Sequence, residues 1–500
     1  MIDTSLSPLE RSFERARVRL GLVLAPLAFA AVLFWPATGL STEAHRLAAV
    51  MAAVVVLWVT EALPMPVTAL AGAAACVLLR VAPARQVFAP FADPLMFLFI
   101  GSFILARAIF LHRLDRRLAF AVLSLGWVGA SPGRILFAFG AVTALMSACI
   151  SNTATTAMMF AIGLSILNFL FEQEKAGGPA IDRRYATGLM LMTAFAASIG
   201  GLATPVGTPP NLIGLSFIRR SLDVEVPFLK WMLIGTPIVI CLYLYLFCYL
   251  NYFCPAGVKR FAGSSELLAR QRETLGPWTR GQRSALAAFA VTAVLWVVPG
   301  IAALVAGQQS DLYRLLSSGL PEGVAAIIGA VLLFLLPGDG QRKAITWPEA
   351  VQIDWGVVLL YGGGLALGVL ANDTGLARAI GEGLTGFLPA DDSLWLLIAA
   401  TVVATLVSES TSNTASATIV VPVAIAIAQA AGADPLEPAL GATFGASLGF
   451  MLPVSTPCNA IVYGSGHIPL LRMVRYGILL DLAGVVVVVT LVRLVVPLIR

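Results

Sequence analysis

The sequence predicts an all-α polytopic membrane protein: about eleven transmembrane helices plus two re-entrant helical hairpins, set in two inverted repeats. Three observations predict it. The 500 residues are 59% hydrophobic and only 12% charged, whereas about a quarter of residues are charged in a soluble globule. Two polar motifs, each interrupting apolar sequence, occur twice and in the same order. Five apolar runs separate the two copies, an odd number that places them on opposite sides of a bilayer.

The first motif is S-x-x-x-S-N-T, at Ser147–Thr153 and again at Ser408–Thr414. In each copy an apolar run stops in small hydroxyl and amide residues, and a second run starts within a few positions. Ser, Thr and Asn cap helix N-termini because their side-chain oxygens accept from the orphan N–H groups of the first turn. Each copy therefore predicts two helices joined by a polar tip. The second motif is P-V-x-T-P-x-N, at Pro205–Asn211 and Pro453–Asn459, with Gly201 and Gly449 matched four residues earlier. Prolines inside a hydrophobic segment interrupt its helix and free backbone groups on either side.

Taken in order, spans are expected near 20–36, 46–62, 66–82 and 92–111, each close to the roughly 20 residues that cross a bilayer. A basic stretch follows, with His112, Arg113, Arg116, Arg117 and Arg134. The first hairpin, near 134–149 and 154–172, enters and leaves on that same side. A broken span near 185–218 and a span near 230–253 lead to the most basic loop, which holds Lys259, Arg260, Arg270, Arg272, Arg280 and Arg283. Spans near 284–305, 322–337 and 355–371 precede the second hairpin, near 393–408 and 415–430. A broken span near 437–465 and a last one near 476–498 complete the chain. The domains expected are a cytoplasmic N-terminal segment 1–19, a first inverted repeat 20–253 with its tip at 151–153, a basic cytoplasmic loop 254–283, and a second inverted repeat 284–500 with its tip at 412–414. The positive-inside rule then sets the N-terminus in the cytoplasm, the segment around Asp391 on the opposite side, and the protein in the cell membrane of a bacterium, the inner membrane.

Charge and cysteine usage exclude other classes. The net charge of +5 comes from bases in loops between apolar runs, so nucleic acid is not an expected partner. Six cysteines without CxxC spacing read as small core residues. The first apolar run follows an Arg-rich segment and reads as a span, not a cleavable signal. An intramembrane enzyme would need a nucleophile with its base, or paired aspartates, at membrane depth; His45, His112 and His467 all fall at loops or span ends. A channel fits two opposed re-entrant tips less well than alternating access does.

The tips suggest the ligand. Helix N-termini suit an anion, while hydroxyls and freed carbonyls suit a hard cation such as sodium. A helix end contributes about 0.3–1 kcal/mol, up to about 2 when partly buried, too little to hold a divalent anion out of water. No Lys or Arg occurs in the four repeated segments. A co-bound cation about 4 Å away would contribute on the order of 4 kcal/mol at an effective dielectric near 20, so cation coupling is expected. Glu61, Arg107, Asp373 and Glu409 fall within or beside spans, where ionisable residues are functional candidates. Several sit near span ends or can pair structurally, which leaves all four outside the expected site. Single S-N-T tripeptides often only let membrane helices approach; four matched motifs in one order argue for a site.

The pairs SNTATT and SNTASAT, with GTPPN and STPCNAIVYG, resemble the divalent anion:sodium symporter family of dicarboxylate, citrate and sulfate transporters, over nearly the whole chain. The resemblance implies a homodimer in the lipid bilayer, in which a transport domain moves as an elevator against a scaffold. It implies a first sodium site of Ser147, Ser151, Asn152 and Gly207, and a second of Ser408, Thr411, Asn413 and Ser455. It places the anion between Asn152, Thr153, Thr208 and Pro209 on one side and Asn413, Thr414, Thr456 and Pro457 on the other. Cys458 departs from the family's usual second proline, and Ser455 stands where the first copy has glycine. The expected function is sodium-coupled symport of small divalent anions, C4-dicarboxylates such as succinate, malate or fumarate first among them, with sodium as coupling ion and no cofactor. Sodium-independent dicarboxylate exchange, or transport of sulfate or citrate, is the alternative.

Overall fold

The computed structural model describes residues 8–36, 39–261, 263–307, 309–385 and 393–499. Residues 1–7 of the N-terminal segment and the segment around Asp391 lie outside the described residues. Every regular element described is a helix, apart from one isolated bridge between Pro337 and Lys343. Among the described residues, ten helices are long and apolar enough to cross a membrane, or eleven if Asp311–Gly319 and Glu322–Leu335, bent by 57°, form one span. Many start on the cap their sequence supplies: Ser41, Asp93, Ser151, Asp182, Asp354 and Ser412 each accept from a first-turn N–H.

The two hairpins are Pro132–Ser147 with Asn152–Lys175, and Ser393–Ser410 with Asn413–Ala430. The first broken segment is Arg183–Gly200 and Pro209–Leu222; the second is Leu436–Gly445 and Pro457–Tyr463. These broken segments form the centre of the molecule. Every residue from Tyr185 to Gly200, and every residue from Leu436 to Gly445, is buried, whereas only 11% of the outer span Arg15–Phe34 is. The irregular backbone of 201–208 is buried too, as non-helical chain at membrane depth must be.

Packing interlocks the two halves. In each, the first hairpin arm lies on the first helix of its own broken segment: Pro132–Ser147 on Arg183–Gly200, and Ser393–Ser410 on Leu436–Gly445. The second helix of each broken segment crosses to the other half. Pro209–Leu222 packs on Asn413–Ala430, and Pro457–Tyr463 packs on Asn152–Lys175. Within the first half, close approach of the hairpin tip to the broken segment requires glycine: a Cβ on Gly201 would stand 2.4 Å from Asn152 Oδ1.

Several boundaries differ from the expected spans. The third is the 14-residue helix Met65–Leu78, shorter than a crossing; the chain turns after it through Arg80, which has positive φ. The N-terminal segment is not separate from the first span, since one helix runs from Pro8 to Phe34. The basic loop holds a helix of its own, Ser264–Glu273. Two more short helices, Leu114–Leu123 and Leu376–Thr385, flank the spans.

Candidate anion and cation site

Each hairpin tip closes the same way. Ser151 Oγ accepts from Ala154 N and Ser412 Oγ from Ala415 N, capping the second arm. Ser147 Oγ donates to Asn152 Oδ1 at 2.7 Å, and Ser408 Oγ to Asn413 Oδ1 at 2.8 Å. Each asparagine oxygen is thereby held beside a serine hydroxyl, and its amide nitrogen donates to no protein group among the described residues.

The broken segments also match. Asn211 Nδ2 donates to Gly201 O and Thr204 O; Asn459 Nδ2 donates to Gly449 O and Leu452 O. These last residues of the motif brace the loop between the two half-helices. Pro209 and Pro457 open the second half-helix, where the missing N–H costs nothing because first-turn donors are unpaired anyway.

All four motifs meet at one cavity of about 560 Å³. Its wall includes Ser151, Asn152, Thr153, Gly207, Thr208, Pro209, Asn413, Thr414, Ser455, Thr456 and Pro457. Four helices therefore begin at this cavity, at Asn152, Pro209, Asn413 and Pro457. Their positive dipole ends, with the free first-turn N–H groups of the two hairpin arms, make it a place for an anion. Ser147, Ser408 and Thr411 lie behind the wall. Ser147 and Ser408 are fully buried, and Thr411 Oγ1 donates back to Val407 O. The serine and asparagine oxygens clustered at each tip are the hard, neutral donors that suit sodium.

Sequence reasoning missed part of the wall. Phe103, Arg107 and Phe110 come from the helix Pro94–Leu111, and Gln352 and Asp354 from the turn before Trp355–Asp373. Arg107 was legible as an ionisable residue in a span, but not as a neighbour of the tips. Glu409 supports the site from behind. Its carboxylate accepts from Met451 N at 2.8 Å, Leu452 N at 3.3 Å and Ser455 Oγ at 2.6 Å, which fixes the second broken segment against the second tip. Glu61 pairs with Arg17 and Asp373 accepts from Gln86, both away from the cavity.

The family model described as the sodium:sulfate symporter transmembrane region matches residues 17–499. The chain belongs to the sodium:sulfate symporter family. It is a multi-pass membrane transport protein, not an enzyme, and its motifs are those of the divalent anion:sodium symporters. Among curated relatives of this symporter family, it is 32% identical over 483 residues to the sodium-dependent dicarboxylate transporter SdcS of Staphylococcus saprophyticus, covering 95% of this chain and 91% of that one. It is 31% identical over 487 residues to SdcS of Staphylococcus aureus strain bovine RF122, covering 96% and 91%. Among solved structures, the symporter chain resembles the YdaH transporter of Alcanivorax borkumensis, with a TM-score of 0.52 at 14% identity, covering 97% of this chain and 98% of that one. It also resembles MtrF of Neisseria gonorrhoeae, with a TM-score of 0.56 at 13% identity, covering 95% and 94%. At those identities the likeness concerns the fold alone.

Proposed function

We propose that this protein is a sodium-coupled symporter of small divalent anions, with C4-dicarboxylates such as succinate, malate and fumarate as its substrates. The observation that carries the reading is the meeting of four helix starts and two serine–asparagine pairs at one cavity. The anion lies among Asn152, Thr153, Thr208, Pro209, Asn413, Thr414, Thr456 and Pro457. Sodium ions bind at Ser147, Ser151, Asn152 and Gly207, and at Ser408, Thr411, Asn413 and Ser455. Two inverted repeats then expose the site alternately by an elevator movement, in a homodimer whose N-terminus is cytoplasmic. The names of the staphylococcal relatives, sodium-dependent dicarboxylate transporters, support both the ion and the substrate class.

One observation favours a second reading. Arg107 lines the cavity, so an anion meets a fixed positive charge there even without a co-bound cation. Sodium-independent dicarboxylate exchange is therefore the competing mechanism. Counterflow tests the carrier reading. Proteoliposomes loaded with unlabelled succinate should accumulate labelled succinate transiently and saturably, with malate and fumarate competing and sulfate or citrate competing less. Linear, non-saturating entry would indicate a channel, and stronger competition by sulfate or citrate would reassign the substrate.

A further inference from the structure

Among the described residues, Arg107 is the only cationic side chain in the cavity wall, and Asp354 the only acidic one. The two do not neutralise each other. Asp354 Oδ1 accepts from Val357 N and caps the helix Trp355–Asp373. Arg107 makes no ion pair with a carboxylate among the described residues. Its Nη2 donates to the neutral Gln352 Oε1, and its buried Nε has no partner. Arg107 lies one turn from the end of the helix Pro94–Leu111, and a guanidinium within a span is costly unless something answers its charge. Here it keeps spare donors and faces the space onto which the hairpin tips open.

We propose that Arg107 is the counter-ion for the second carboxylate of the bound dianion, with Gln352 as the placeholder that carboxylate displaces. This deepens the transport reading and rests on it. One carboxylate would be met at the tips, by the amides of Asn152 and Asn413 and by the helix starts. The other would be met by the guanidinium, whose planar fork matches a carboxylate with two parallel N–H···O bonds. A neutral amide partner suits a placeholder: it holds the guanidinium in the wall while leaving its charge available. A carboxylate outcompetes the amide oxygen, because it adds the attraction of opposite charges and can take two parallel N–H groups of the fork. Arg107 would thus be the residue that reads the second charge of the substrate, separating a dianion from a monoanion of the same shape.

The test is competition against labelled succinate in proteoliposomes, with unlabelled succinate and its monomethyl ester as competitors. Arg107→Gln should weaken succinate about ten- to a hundredfold, the loss of one hydrogen-bonded charge partner, while the monoester changes by only about threefold or less. Arg107→Lys should recover part of the difference, since the charge returns without the fork. Gln352→Leu should tighten succinate, because nothing then competes for the guanidinium. If Arg107→Gln keeps the wild-type ratio of succinate to monoester affinity, even with both weakened, its role is structural and the assignment is overturned. Should that variant not be recovered in folded form, Gln352→Glu replaces it. A resident carboxylate should weaken succinate and leave the monoester largely unchanged, and an unaltered ratio overturns the assignment. A wild type that takes up no dianion at all would overturn the transport reading itself, an outcome distinct from a transporting wild type whose selectivity ignores Arg107.

Discussion

Asn152 and Asn413 each open a helix, hold their oxygen beside a serine five residues earlier and reach the same cavity. An Asn side chain carries an acceptor and two donors, so each can face sodium with its oxygen and a carboxylate with its nitrogen. Asn152→Asp or Asn413→Asp keeps the oxygen, removes the donor and sets a negative charge beside the anion. At about 4 Å and an effective dielectric near 20 the repulsion is on the order of 4 kcal/mol, or about a thousandfold in affinity. Labelled succinate binding should collapse while sodium binding measured without substrate survives better. Near-normal apparent affinity in folded protein would make the tips structural. Asn211→Asp should behave differently. Asn211 is fully buried and donates to two carbonyls, so a carboxylate there loses both bonds and faces those oxygens. Breaking these buried contacts costs at least about 2 kcal/mol, and the expected result is a lower unfolding temperature and poor recovery. An unchanged melting curve would contradict the bracing role. The asparagines of the tips were legible because they recur in matched motifs. Arg107 occurs once, and its partner Gln352 is 245 residues away. The bond of Glu409 to Ser455 likewise depends on a loop 46 residues on folding back over the tip.

At the scale of elements, hairpins and breaks were legible because polar tips and proline pairs punctuate apolar sequence sharply. The first hairpin was expected near 134–149 and 154–172, and its arms are Pro132–Ser147 and Asn152–Lys175. The short helices Leu114–Leu123, Ser264–Glu273 and Leu376–Thr385 were not, because ten residues carry too few apolar positions to stand out beside a span. Nor did the sequence show what ties the helices around the site together. Asp93, its side chain fully buried, caps Pro94–Leu111 and accepts from Arg219 and Arg220 at the end of Pro209–Leu222 and from Tyr361 of Trp355–Asp373. One carboxylate thus joins three helices. Asp93→Asn removes the charge and leaves two partly buried arginines unanswered, which should cost on the order of 3 kcal/mol. Thermal unfolding of purified protein in detergent checks this, and a variant as stable as wild type would show that the cluster is dispensable.

The described residues are all-helical, as the composition led one to expect, with the two broken segments at the centre and the apolar spans around them. The half-to-half crossing of Pro209–Leu222 and Pro457–Tyr463 was not legible, since no local pattern encodes which distant helix a half-helix will meet. Membrane orientation can be tested directly. Single cysteines at Arg183 and Arg270 should resist an impermeant reagent on intact cells, whereas one at Asp391 should react. Labelling of all three from outside would contradict the inverted arrangement.

The central claim, that a cation bound at the tips allows the dianion to bind and cross, is tested most directly by uptake of labelled succinate into proteoliposomes containing no internal anion, with external sodium or with choline in its place. Concentrative uptake with sodium and none with choline is the predicted result. Equal uptake in choline would contradict sodium coupling, and uptake restored in choline by internal succinate would establish exchange instead.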